Sequence, residues 1–163
     1  MERIWAPWRM SYISNNKHDQ SCFFCPSEIP DRERLILTRS SFSLMMLNRY
    51  PYTGGHMMVA PLRHIAGLDE LSDEELLDLM HLLRTGRSLL EKVVHPDGFN
   101  IGINLGKAAG AGLEEHLHIH IVPRWNGDSN FMTVVGDLRV IPESLLAAYD
   151  LLFAALPAAS PAG

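Results

Sequence analysis

Three histidines at alternate positions, His116-Leu117-His118-Ile119-His120, are the residues of this chain best suited to chemistry. Side chains on an extended strand alternate between faces, so the three imidazoles project one way and Leu117, Ile119 and Ile121 project the other. At ~3.3 Å per residue, successive imidazoles stand roughly 6.5–7 Å apart, a spacing that can surround a phosphate-sized group. A neutral imidazole is nucleophilic near neutral pH because its reference pKa is ~6.5. Attack on phosphorus gives a phosphoramidate that water or another acceptor resolves. Flanking imidazoles can protonate a leaving oxygen or hold phosphate oxygens. Histidines at i and i+2 can also share one metal ion, which would make the row a metallohydrolase centre. A second constellation, Cys22-Phe23-Phe24-Cys25, fits half of a tetrahedral zinc site or a dithiol redox pair. The loop Gly106-Lys-Ala-Ala-Gly-Ala-Gly112 lacks the spacing and the Ser/Thr of a Walker motif, but its backbone N–H groups could cradle phosphate.

These residues need elements to position them. Strand-like blocks cover Arg34–Thr38, Ser41–Asn48 and His56–Leu62, the last two joined by the turn-rich Arg49-Tyr-Pro-Tyr-Thr-Gly-Gly55 as a hairpin. Ser72 and Glu75 form a capping box that opens a long helix carrying Leu76, Leu79, Met80, Leu83, Leu90, Val93 and Val94. The helix should stop at His95-Pro96, because proline disfavours helix in the residue before it. Strands Phe99–Leu105 and His116–Pro123 follow, and a last helix opens after Pro142 and runs through Leu145, Leu146, Tyr149, Leu152 and Phe153. Strands gathered around one long helix without strict alternation read as an α+β domain with a mainly antiparallel sheet. Met45, Met46, Met57 and Met58 read as core fillers. Trp5 and Trp8 should anchor an N-terminal arm, Trp125 could anchor or bind a base, and His18, His81 and His95 read as surface residues.

The chain has 163 residues, 47% of them hydrophobic and 20% charged, as expected of one globular domain. A net charge of −5 gives no domain-wide basic footprint for nucleic acid. No apolar run approaches the ~20 residues that span a bilayer, and the first residues lack the apolar stretch of a secretory signal. The expected partners therefore exclude nucleic acid and membrane, and the expected location is cytoplasmic. The expected organisation is an arm over residues 1–33 that carries the C-x-x-C, a domain over 34–156 and a tail over 157–163.

The segment His116-Leu-His118-Ile-His120-Ile-Val resembles the signature of the histidine triad (HIT) superfamily of nucleotide hydrolases and transferases. The likeness extends to Leu47-Asn48-Arg49-Tyr50-Pro51, to Gly55-His56-Met-Met-Val-Ala-Pro61 and to Asn104-Leu-Gly through Ala109-Gly110, about residues 34–125 in all. The flanking Trp5-Ala-Pro-Trp-Arg-Met-Ser-Tyr-Ile and Pro123-Arg-Trp-Asn-Gly-Asp-Ser-Asn-Phe131 resemble the bacterial branch that includes diadenosine tetraphosphate phosphorylases and hydrolases. The resemblance implies a HIT-like fold that cleaves dinucleoside polyphosphates through a nucleotidyl-histidine, acting as a homodimer without an organic cofactor. By the same resemblance His118 is the nucleophile, while His120 binds the scissile phosphate or the leaving oxygen. His56 is a fourth histidine facing that phosphate. Asn48, Asn104, Gly110, Ala111 and Gly112 lie where relatives contact ribose and phosphate.

Branches with an N-terminal C-x-x-C imply a structural zinc on Cys22, Cys25, His64 and His116, which leaves His116 an orienting role in catalysis. Many relatives carry Ser, Thr or Gln where this chain has Gly112, and Lys107 or backbone contacts are the expected substitutes. That departure leaves the acceptor, water or phosphate, open. The rival functions are a purine nucleoside phosphoramidase-like hydrolase, a metallohydrolase and a non-catalytic purine-nucleotide binding module.

Overall fold

The structure, a computed structural model, describes residues 22–128 and 144–157. Trp5, Trp8, His18, Pro142 and the tail from residue 158 lie outside the described residues. The elements run α1 (Asp31–Arg34), β1 (Ile36–Arg39), β2 (Ser43–Leu47), β3 (Met57–Pro61), α2 (Asp73–Val94), β4 (Gly98–Ile103), β5 (Ile119–Arg124) and α3 (Leu145–Ala154). All five strands join one antiparallel sheet in the order β1-β2-β3-β5-β4. This is the expected α+β architecture.

Alternation along β2 and β3 divides the sheet into two buried faces. Met45, Leu47, Met57 and Val59, with Ile119 and Ile121 of β5, pack against Leu79, Leu82, Leu83, Leu89 and Leu90 of α2 and Ala148, Tyr149 and Leu152 of α3. Leu44, Met46, Met58 and Ala60 face the other way and pack with Phe24 and Ile36. All four strand methionines are core residues, each at most 3% exposed. Burying a side chain of this kind stabilises the fold by about 1.5–3 kcal/mol. Gly86 lets α2 lie close on the first face, since a Cβ there would meet Met45 Sδ at 2.6 Å and Ile121 Cδ1 at 3.1 Å.

The capping box forms as expected. Glu75 N–H donates to Ser72 Oγ at 3.2 Å, and Ser72 N–H donates to Glu75 Oε2 at 2.9 Å. Helix α2 ends at Val94, with His95 in a left-handed turn at φ +46° ahead of Pro96. Its inward stripe is Glu75, Leu79, Leu82, Leu83, Gly86, Leu89 and Leu90, whereas Leu76 and Met80, expected in the core, are exposed. The reason is phase. The Arg63 guanidinium and the Ser72 cap turn Glu75 inward in the first turn, and Leu76 then stands about 100° further round, on the flank.

Three boundaries differ from the sequence reading in ways that matter for the site. Arg34, expected at the start of a strand, ends the short helix α1. His56 stands just ahead of β3 rather than in it. Strand β5 begins only at Ile119, so His116 and His118 lie on the segment that enters it. Pairing of β3 with β5 ends at Val59↔Ile119. Beyond that point the Pro61 carbonyl, which a longer ladder would use, accepts a bond from the side chain of His116 instead. Leu117 N–H turns aside to Ile65 O at 2.6 Å.

Candidate active site and metal centre

His120 is the member of the triad that occupies a true strand position. It pairs with Met58 on one side and Gly102 on the other, on the sheet face opposite α2. His118 reaches it from the entering segment, with ring centroids 4.9 Å apart in an edge arrangement. His56 arrives from the hairpin side, its ring 5.1 Å from that of His120. These three imidazoles form one contiguous group. His116 does not join them, because its ring turns toward the cysteines, with Phe24 packed 5.0 Å from His116 and 5.1 Å from His118. The expected single row of three is thus split after its first member.

Hydrogen bonds fix where each proton sits. Tyr52 backbone N–H donates to His56 Nδ1 at 3.1 Å, so that nitrogen accepts and the His56 proton is on Nε2. From there it points to His120 Nδ1 at 2.9 Å, which leaves His120 with its own proton on Nε2. His118 Nδ1 lies 2.8 Å from the His116 carbonyl oxygen, which can only accept, so Nδ1 carries the proton and Nε2 the lone pair. His118 therefore offers a lone pair at Nε2 and its neighbour His120 an N–H at Nε2.

Burial keeps the group neutral. His56 is fully buried and its pKa falls to about 3, first through burial and then through the unfavourable charges of His120 and His118. His120 falls to about 4, again through burial and then through His118. Burial lowers His118 and His116 as well, opposed in each by a bond to a backbone carbonyl. The middle histidine, 5% exposed, is more enclosed than a residue on a solvent-facing strand.

Around this group the structure places the other candidates unequally. Asn48 joins it: Nδ2 lies 3.3 Å from His56 Nδ1, Oδ1 accepts from Tyr50 N–H at 2.9 Å, and its own N–H donates to His56 O at 2.8 Å. Asn104 lies one residue past Ile103, the partner of Ile119, and so next to the His118 position on the neighbouring chain. Gly110, Ala111 and Gly112 follow a short 3-10 turn, with Gly110 at φ +86°, and the N–H groups of Gly110 and Ala111 donate back to Lys107 O and Gly106 O within the loop. The sequence reading missed Tyr52 and Phe24. The ring of Tyr52 covers His56 at 4.7 Å and His120 at 6.0 Å, and the one available signal was an aromatic four residues before His56. Trp125 anchors rather than opens a pocket, since its Nε1–H donates to Val94 O at 3.3 Å.

Cys22, Cys25, His64 and His116 converge, with their four ligand atoms all within 4.8 Å of one another. His116 Nδ1 is 3.1 Å from Cys22 Sγ, 3.8 Å from Cys25 Sγ and 3.3 Å from His64 Nδ1, and Cys25 Sγ is 3.2 Å from His64 Nδ1. A zinc tetrahedron with Zn–N ~2.0 Å and Zn–S ~2.3 Å has edges of about 3.3–3.8 Å, so the donor set fits that ion. His116 Nε2–H donates to Pro61 O at 2.8 Å, which turns the lone pair of Nδ1 toward the thiols. Burial, together with the neighbouring Cys22, raises the Cys25 thiol to about 11. Metal uptake there would release protons.

Residues 30–127 match the HIT domain. The chain belongs to this family. The AP-4-A phosphorylase of Mycobacterium tuberculosis is 42% identical over 154 residues, 89% of this chain and 79% of that protein. The adenosine 5'-monophosphoramidase hnt1 of Schizosaccharomyces pombe is 30% identical over 127 residues, 78% of this chain and 92% of that protein. A crystal structure of a Zn-bound histidine triad family protein from Mycobacterium smegmatis superposes with a TM-score of 0.61 at 31% identity. It covers 75% of this chain and 83% of the other. The split histidine row thus belongs to a HIT domain with a Cys2His2 cluster at one end. No helix among the described residues is long and apolar enough to cross a membrane.

Proposed function

We propose that this HIT protein cleaves dinucleoside polyphosphates of the diadenosine tetraphosphate type by nucleotidyl transfer to His118. One observation carries the reading: His118 Nε2 holds a lone pair beside His120, whose own Nε2 holds a proton. The Nε2 lone pair attacks the α-phosphorus, the P–O bond to the polyphosphate breaks, and the polyphosphate leaves as an anion whose oxygen accepts a hydrogen bond from His120 Nε2–H. Water or inorganic phosphate then attacks the same phosphorus and gives up its proton to solvent. The P–N bond breaks and its electron pair returns to His118. Asn48, Asn104 and the Gly110-Ala111-Gly112 backbone hold ribose and phosphate, His56 holds the tautomer of His120, and His116 orients His118 through its carbonyl.

Cys22, Cys25, His64 and His116 would hold a structural zinc, which would leave no open coordination position and would pin the Cys22–Cys25 turn to the segment entering β5. Reduced thiols persist in the cytoplasm, and that is where we place the protein. We further propose a homodimer formed through the β4 edge of the sheet, where Ile101 and Leu105 are exposed.

Incubation with a panel of dinucleoside polyphosphates and a nucleoside phosphoramidate, with and without inorganic phosphate, tests the reading. Tetraphosphates should yield mononucleotides, with phosphate incorporated into one product if the acceptor is phosphate. Inertness toward the polyphosphates with turnover of the phosphoramidate alone would favour the function of the fission-yeast relative, and inertness to both would overturn catalysis.

A further inference from the structure

Arg34 takes no part in the reaction above, yet it is only 7% exposed. A buried guanidinium is costly unless its donors are met, and proteins usually meet them with a carboxylate. Among the described residues Arg34 forms no ion pair. Its Nη2 donates instead to two backbone carbonyls, Phe23 O at 2.9 Å and Cys25 O at 2.6 Å. Both oxygens belong to the turn that presents the thiols, which is closed within itself by Cys25 N–H donating to Cys22 O at 3.1 Å and by contact between the two thiols. One nitrogen thus ties the middle of the C-x-x-C turn to its end. Helix α1 supplies the leverage, since the chain reverses through Pro30 and returns Arg34 to the loop it has just left. Arg34 N–H donates to Pro30 O at 3.1 Å, and Leu35 ends the turn at φ +63°.

We propose that Arg34 is a positioning residue for the metal centre, holding the Cys22–Cys25 turn in its metal-binding conformation before the ion arrives. The inference rests on the metal reading given above. His116 has the corresponding support, with its Nε2 fixed by Pro61 O, so the thiol half and the imidazole half of the quartet are each held from outside. Groups that orient metal ligands typically contribute 10- to 100-fold in affinity. Lysine at this position keeps the charge but ends short of both carbonyls, so it does not replace arginine.

The test strips the full-length protein of metal and titrates zinc against a chromophoric chelator at 25 °C, for wild type, R34K, R34M and C25S. Wild type should bind one equivalent per chain. C25S should lose tight binding. R34K and R34M should bind the same equivalent 10- to 100-fold more weakly and release it faster to excess chelator. A merely structural arginine would lower the unfolding midpoint of the metal-free protein but leave the zinc affinity of the folded protein unchanged, and equal affinity in R34K and wild type overturns the inference. If R34M does not fold, R34K decides alone. Failure of wild type to bind, or binding that survives in C25S, overturns the metal reading itself, and this inference with it.

Discussion

His116 and His118 are two residues apart and equally imidazole, but they stand at opposite ends of a division of labour. His116 spends both ring nitrogens on the protein, Nε2 on Pro61 O and Nδ1 on the thiol cluster. His118 spends only Nδ1, on the carbonyl of His116, and keeps Nε2 for a ligand. On the proposed mechanism, role follows from which nitrogen a neighbour claims, since residue type and burial barely differ between the two. The two ends are also coupled. The His116 carbonyl sets the tautomer of His118, and Phe24 of the C-x-x-C turn packs on both rings.

The sharpest way to break the comparison is to remove each histidine in turn. His118→Ala should lower the polyphosphate-cleavage rate by about 10⁴-fold, at the upper end of what a positioned catalytic group contributes, while zinc content and fold are retained. His116→Ala should lose zinc and activity together. An H118A protein with appreciable turnover would move the nucleophile elsewhere.

One step away lies the tautomer chain. His56→Gln should reduce kcat by about 10²-fold with little change in KM, because His120 loses the partner that keeps its proton on Nε2. A loss confined to KM would mean that His56 only binds.

Acidification should strain the imidazole end more than the thiol turn. His56 has a folded pKa of about 3 against an ordinary 6.5, so below pH 6.5 the unfolded chain takes up a proton that the folded chain refuses. Its contribution is fully present above pH 6.5 and is lost as pH falls toward 3, about 2 kcal/mol by pH 5. Urea midpoints measured between pH 7 and 5 should fall accordingly in wild type and more gently in H56Q. Parallel curves would contradict the neutral buried imidazole.

The smallest expected effect is at the bridge between the ends. Phe24→Leu conserves most of the apolar volume, so stability should drop by about 1 kcal/mol. The kcat should fall several-fold with zinc content intact, as His118 loses the ring beside it. An unchanged kcat would make Phe24 a core residue only.

The sheet and the long helix were legible in the sequence because each rests on a local rule, and the Cys2His2 cluster was legible through a family resemblance. The turn chemistry of Arg49–Gly55 marked β2 and β3 as a hairpin, the Ser72–Glu75 box placed the start of α2, and the resemblance to the HIT branches with a C-x-x-C joined Cys22, Cys25, His64 and His116. The division of the histidine row was implied by that resemblance but was not legible from the pattern of the strand itself. Alternation puts His116, His118 and His120 on one face, but the strand starts at Ile119, where Pro61 gives its carbonyl to a side chain rather than to a ladder. Nor does helical periodicity reveal that an ion pair with Arg63 sets the phase of the first turn of α2 and leaves Leu76 and Met80 outside. Both features depend on partners far along the chain, which no local pattern encodes.

Which nitrogen forms the bond to phosphorus decides the mechanism. Wild-type protein mixed with a dinucleoside tetraphosphate, quenched in base within milliseconds and digested, should give a peptide one nucleotidyl group heavier, with fragmentation placing the addition on His118. The same addition on His116 or His120, or product formation with no modified peptide at any quench time, would contradict it.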